Sequence, residues 1–156
     1  MKNLYLDAKY YDITIADLND DGISKVIASE VGEASNTYLA ILTTSFNQVL
    51  ISIDDRLKLN FGTGNYNQPQ NIALDDINGD GLLDVVASVE GDVTDDLQSH
   101  AIISINTSVD GGFSFSTPII MSGVVYEGYV QLQDINGDGK LNILASRRSH
   151  DQLGIY

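Results

Sequence analysis

The chain of 156 residues has no cysteine, two histidines and only eight lysines and arginines. Without cysteine there is no disulfide, no thiol nucleophile and no zinc–thiolate site. The few bases stand against 22 acids, which leaves a formal net charge of −14. That sign argues against nucleic acid and anionic membrane surfaces as partners, and it favours cations. Long apolar runs are missing as well. The longest, Tyr38 to Leu42, is far too short to span a bilayer, so no membrane insertion is expected. The opening residues MKNLYLDAKYYD are not read as a signal peptide, because acids and lysine interrupt any apolar core. No long helical pattern with caps occurs either. What is present is a globular composition, 43 % hydrophobic and 19 % charged. The length suits one ordinary domain, or a few small repeats sharing one core.

Repeats decide the organisation. Three segments align without gaps: DLNDDGISKVIAS from Asp17, DINGDGLLDVVAS from Asp76 and DINGDGKLNILAS from Asp134. Their first aspartates lie 59 and 58 residues apart. Each is preceded by alternating apolar residues, Ile13/Ile15, Ile72/Leu74 and Val130/Leu132. Each is followed by a short apolar run, Val26–Ala28, Val85–Ala87 and Ile143–Ala145. A further match joins YLAILTTS at 38–45 to AIISINTS at 101–108.

Period-2 alternation and β-branched residues make the reading β throughout. Turn chemistry separates the runs, as at Gly62-Thr63-Gly64-Asn65 and Asp110-Gly111-Gly112. Strands are expected near 12–16, 25–30, 37–44 and 48–54, near 71–75, 84–89, 99–106 and 113–121, and near 128–133, 141–147 and 152–156. Leu4-Tyr5-Leu6 stands where a fourth strand would precede the first repeat. Four-stranded units at even spacing predict an all-β fold, a β-propeller of four-stranded antiparallel blades, with three blade-equivalents in the chain. The repeats span about 8–57, 66–123 and 124–156 in one propeller segment, with strand 1–7 completing the third blade type.

The second loop places Asp76, Asn78, Asp80 and Asp84 at positions 1, 3, 5 and 9. Alternate residues of a curled loop can point inward together, and the Leu82 carbonyl at position 7 adds a backbone oxygen. Hard cations such as calcium take six to eight oxygens, so the loop is a candidate calcium site. An EF-hand is excluded, because position 12 is Ala87 and the flanks read as strands. Acidic β-turns without a metal are the alternative reading of the same residues.

With its three D-x-N-x-D-G loops and the following VVAS-type strands, the chain resembles the FG-GAP/VCBS family, the repeats of integrin α-subunit propellers and many bacterial surface proteins. The resemblance covers essentially the whole chain. It implies calcium ligation by Asp76, Asn78, Asp80, Leu82 and Asp84 in the second loop. In the third loop it implies Asp134, Asn136, Asp138 and the Lys140 carbonyl, with Asn142 in place of the usual acid. In the first it implies Asp17, Asn19, Asp21 and the Ile23 carbonyl, but Lys25 stands at position 9. An ammonium there either takes the cation's place or points outward. The phenylalanine–glycine pair that names the family has only approximate echoes, Phe61-Gly62 and Gly112-Phe113.

Nothing in the sequence forms a convergent catalytic set, and no enzyme is expected. His100 and His150 are read as surface loop residues. Asn106-Thr-Ser108 fits the glycosylation acceptor pattern. Tyr10/Tyr11, Tyr66 and Tyr126/Tyr129 precede each repeat's first strand. Packing between blades is the preferred reading for them, with stacking on sugar or a protein partner as the other. The third repeat ends in Arg147-Arg148, against Glu30-Val31 and Val89-Glu90 in the others. Opposite charges are therefore expected side by side in a closed ring.

The resemblance implies a non-catalytic calcium-binding module for assembly, adhesion or ligand binding, outside the cell or at its surface. The alternative is a fragment of a larger propeller, a glycan-binding (lectin-like) or accessory domain of a polysaccharide-active enzyme. Three blades are too few to close a ring. The expected partner is a second copy, in a homodimer of six blades closed by strand exchange, with protein or glycan as a possible ligand.

Overall fold

The computed structural model describes residues 9–31, 36–46, 51–63, 68–90, 100–122, 128–147 and 152–156. These form eleven strands in three antiparallel sheets, with no helix among the described residues. The first sheet is a meander of β1 (Lys9–Ala16), β2 (Lys25–Val31), β3 (Asn36–Phe46) and β4 (Ile51–Thr63). The second repeats it with β5 (Gln68–Asp75), β6 (Asp84–Glu90), β7 (His100–Ser104) and β8 (Ile119–Ser122). The third holds β9 (Val130–Gln133), β10 (Asn142–Arg147) and β11 (Gln152–Ile155).

The second strand of each sheet carries an apolar run, and in the middle sheet that strand is covered on both faces. In β6, Val85, Ala87 and Val89 pack against Ile27, Leu39 and Ile41 of the first sheet, with Leu18, Ile72 and Ile102 in the same cluster. Val86 points the other way, with Ala101, toward Val130, Ile143 and Ala145 of the third sheet. The middle sheet is thus sandwiched between its neighbours. Each buried large side chain contributes roughly 1.5–3 kcal/mol.

Two strand ends differ from the sequence expectation. β4 runs to Thr63, through Gly62, where a turn was expected from Gly62 onward. Its length follows β3, whose Asn36 pairs with Thr63. β8 begins only at Ile119 instead of near 113. Residues 113–118 still pair locally, through Thr107 N–H to the Ser114 carbonyl (2.8 Å) and Ser116 N–H to the Ile105 carbonyl (2.8 Å). The Ser116 hydroxyl accepts the Ile105 N–H (3.1 Å) and interrupts a regular ladder there.

The edge strands β1, β5 and β9 lie together and are tied by side chains. Asp12 Oδ2 accepts Ile72 N–H (2.8 Å) and the Asn71 side-chain amide (2.9 Å). Asn71 Oδ1 in turn accepts Val130 N–H (2.9 Å). Asp12 and Asn71 occupy the same repeat position, 59 residues apart. The register shifts at this point in both β1 and β5, which frees a backbone N–H from the ladder. Ser29 Oγ receives the Asp12 N–H (2.7 Å), and Ser146 Oγ receives that of Tyr129 (2.9 Å). The final serine of the motif thus accepts the N–H at this position in the first and third repeats, while Ser88 Oγ of the second is buried without a hydrogen-bond partner.

Candidate metal loops

Each motif loop joins the first strand of its sheet to the second, at 17–24, 76–83 and 134–141. The position-1 carboxylate organises the turn. Its Oδ2 accepts the N–H of Gly22 (2.7 Å), Gly81 (2.8 Å) or Gly139 (2.8 Å). Its Oδ1 accepts Asp21 N–H in the first loop, Gly79 and Asp80 N–H in the second, and Gly137 N–H in the third. The position-5 carboxylate accepts the next N–H but one, from Ile23, Leu82 or Lys140, at 2.8–2.9 Å. Its other oxygen accepts the side-chain amide of Asn19, Asn78 or Asn136, at 2.9–3.0 Å. The three loops thus share one hydrogen-bonding plan.

Position 9 separates them. Asp84 is fully buried. Its Oδ2 accepts Ile77 N–H (2.9 Å) and its Oδ1 accepts Asn106 N–H (2.7 Å). Asn142 Oδ1 repeats the first of these bonds more weakly, to Ile135 N–H (3.2 Å). In the first loop Lys25 turns inward. Its ammonium donates to Asn19 Oδ1 (3.3 Å), to both oxygens of Asp21 (2.9 Å each) and to the Ile23 carbonyl (2.5 Å). Those acceptors are the groups at positions 3, 5 and 7. Of the two orientations open to Lys25, the structure takes the inward one.

The Lys25 hydrogen bond is the main reason the Asp21 carboxyl lies below its ordinary value, with the Ile23 N–H and the Asn19 amide adding to it against burial. Asp134 is lowered without any cation, chiefly by the Gly139 N–H and then those of Gly137, Asp138 and Asn136. Both carboxylates are ready to face positive charge.

Among the described residues, no group of three or more acidic or histidine side chains is gathered as a metal cage. The donor chemistry still fits a hard cation. The Lys25 nitrogen stands in for one, and an amide oxygen, a carboxylate and a carbonyl gather around it. Asn78, Asp80 and Leu82, and Asn136, Asp138 and Lys140, sit on the same loop plan. Asp84 spends one lone-pair site per oxygen on backbone N–H groups, and a carboxylate has about four such sites.

The loops also tie the first sheet to the second. The Asn106 amide donates to the carbonyls of Leu18 (2.6 Å) and Leu83 (3.0 Å), and the Asn19 amide donates to the Gly111 carbonyl. Asn106 is fully buried, so its match to the glycosylation pattern does not describe an accessible acceptor. Its role needed two loops in one place, and no local spacing signals that.

Residues 76–145 match the FG-GAP-like repeat. Over this stretch, a little under half of its length, the chain is similar to the FG-GAP-like repeat family. The matched FG-GAP-like segment holds the second and third loops whole and leaves out the loop of Lys25. No curated protein matches the chain. No described helix is long and apolar enough to cross a membrane.

Other expectations fare unevenly. His100 lies in β7 and is 8 % exposed, so it is not a surface loop residue; its strand packs in the middle sheet. Tyr10 donates toward Glu30 Oε2 (3.4 Å). Tyr11 and Tyr129 are 49 % and 70 % exposed, so they are not packed between sheets of this one chain. Leu4-Tyr5-Leu6, Tyr66, Tyr126, Arg148 and His150 lie outside the described residues, as does the side chain of Arg147.

Proposed function

We propose that the chain is a non-catalytic, calcium-stabilised β-propeller-type module for binding or assembly, acting outside the cell or at its surface. The observation that carries this reading is the shared plan of three oxygen-rich loops, one of which already surrounds a positive charge. Calcium belongs to the second and third loops. The second would use Asp76, Asn78, Asp80, the Leu82 carbonyl and the free lone pairs of Asp84. The third is weaker, because Asn142 supplies no charge and ligand charge tunes affinity. The net charge of −14 agrees with a cation-dependent fold. The extracellular placement rests on the family match. The partner in assembly is a second copy of the chain, and a protein or glycan is the ligand class.

Calorimetric titration with calcium chloride tests the reading. Wild type should take up calcium and melt higher with it, since an ion bound only by the folded state stabilises that state. In Asp80→Ala, both the heat of binding and the calcium-dependent rise in Tm should shrink. An unchanged titration in that variant would remove the assignment.

A further inference from the structure

We propose that the first loop carries its own cation: the Lys25 ammonium fills the metal position and clasps the first sheet to the second without any ion from solution. An ammonium has three N–H donors. Three acceptor groups meet it, the Asn19 amide oxygen, the Asp21 carboxylate and the Ile23 carbonyl, at 2.5–3.3 Å. Lys25 is only 4 % exposed. A charge that far from water persists when it is paired and hydrogen-bonded, and here every donor has a partner. The Phe113 ring stands 5.7 Å from Nζ and offers a face of the negative sign.

The surroundings turn this site into a clasp. Asn19, one of the ammonium's acceptors, donates through its amide to the Gly111 carbonyl. Gly111 lies in the tight turn closed by Gly112 N–H to the Val109 carbonyl (3.0 Å). Phe113 follows it and packs on the core between the first and second sheets. The cation, its loop and the turn of the next sheet are thus one connected unit. A divalent ion entering the loop would meet the ammonium on the same three groups. The junction of the first two sheets is therefore permanent, while any response to calcium is left to the second and third loops. Only this last contrast rests on the calcium reading above.

The test uses the full chain and calcium chloride. In chelator, Lys25→Met should lower Tm by about 3–8 °C, and calcium should not restore the loss. Asp21→Asn should leave the number of calcium ions in native mass spectra at the wild-type value. Lys25→Asp should gain one ion over wild type. Should Lys25→Met fail to fold, the wild-type lysine ammonium resonance decides. A slowly exchanging signal, unmoved by calcium, supports the clasp; a fast-exchanging or calcium-shifted one overturns it. Loss of a calcium ion in Asp21→Asn, or an unchanged Tm in Lys25→Met, also overturns it. If wild type binds no calcium at all, the calcium reading fails, and the melting and resonance measurements still judge Lys25.

Discussion

The sixth residue of each loop is a glycine because the chain turns left-handed there. Gly22, Gly81 and Gly139 have φ of 79°, 90° and 82°, a region that costs an L-residue roughly 1–2 kcal/mol. The turn points backbone N–H groups at the position-1 carboxylate, and this gives Asp134 a pH dependence. Its folded pKa lies below the ordinary 3.8. The stabilisation is therefore present above that value and is lost as pH falls through the lower, folded value. Asp134→Asn should accordingly melt lower than wild type near neutral pH, with the gap closing in acid. Melting curves from about pH 7 to 2.5 check this. A gap of constant size would mean that ionisation of Asp134 contributes nothing. The oxygen spacing of the loops was legible in the sequence, since each donor sits at a fixed offset from the next. The direction of Lys25 was not, because spacing sets a position and leaves the rotamer open. The place of Asn106 was hidden for a different reason. Its partners Leu18 and Leu83 lie 88 and 23 residues away.

Among the elements, the edge strands β1, β5 and β9 hold to one another through two side chains instead of a ladder. Asn71 is the joint, giving its amide to Asp12 and taking the N–H of Val130. Asn71→Ala removes both bonds and leaves a part-buried N–H unmet, a loss of about 1–3 kcal/mol. Urea unfolding should show a lower midpoint with an unchanged slope. Asn71→Asp keeps the acceptor for Val130 but sets a second carboxylate against Asp12, so its deficit should shrink as salt rises. A deficit indifferent to salt would speak against the direct contact. The strands themselves were legible from period-2 alternation, and the apolar triplets marked the second strand of each sheet. The extents of β4 and β8 were not. β4 is as long as its pairing with β3 allows, and a serine hydroxyl rather than a turn residue delays β8.

For the molecule as a whole, the sequence signalled repetition and sheet content, while closure into a ring would depend on contacts between copies. The two terminal sheets keep apolar side chains in water. Ile13 and Ile15 of β1 are 62 % and 67 % exposed, and Leu153 and Ile155 of β11 are 63 % and 56 % exposed. In the middle sheet both faces are covered, so a further sheet at each end would continue the packing already present. The inter-sheet relay also stops at both ends. Ile13 N–H, the counterpart of Ile72 N–H, is capped by the neighbouring Asp12 Oδ1 (2.9 Å). Tyr129 stands where Asp12 and Asn71 stand in the other repeats. A junction between two copies would thus oppose Tyr129 and Ile13, a pair unlike either internal junction, so the joining faces are marked as different. Two copies would give six sheets, within the usual range of propellers. Light scattering should then return about twice the chain mass of 16.9 kDa. Ile15→Asp, at an exposed position, should give a folded monomer, and Leu153→Asp should do the same from the other end. A wild-type chain that stays monomeric at high concentration would refute the paired ring. A monomer produced by only one of the two variants would place the junction on a single face.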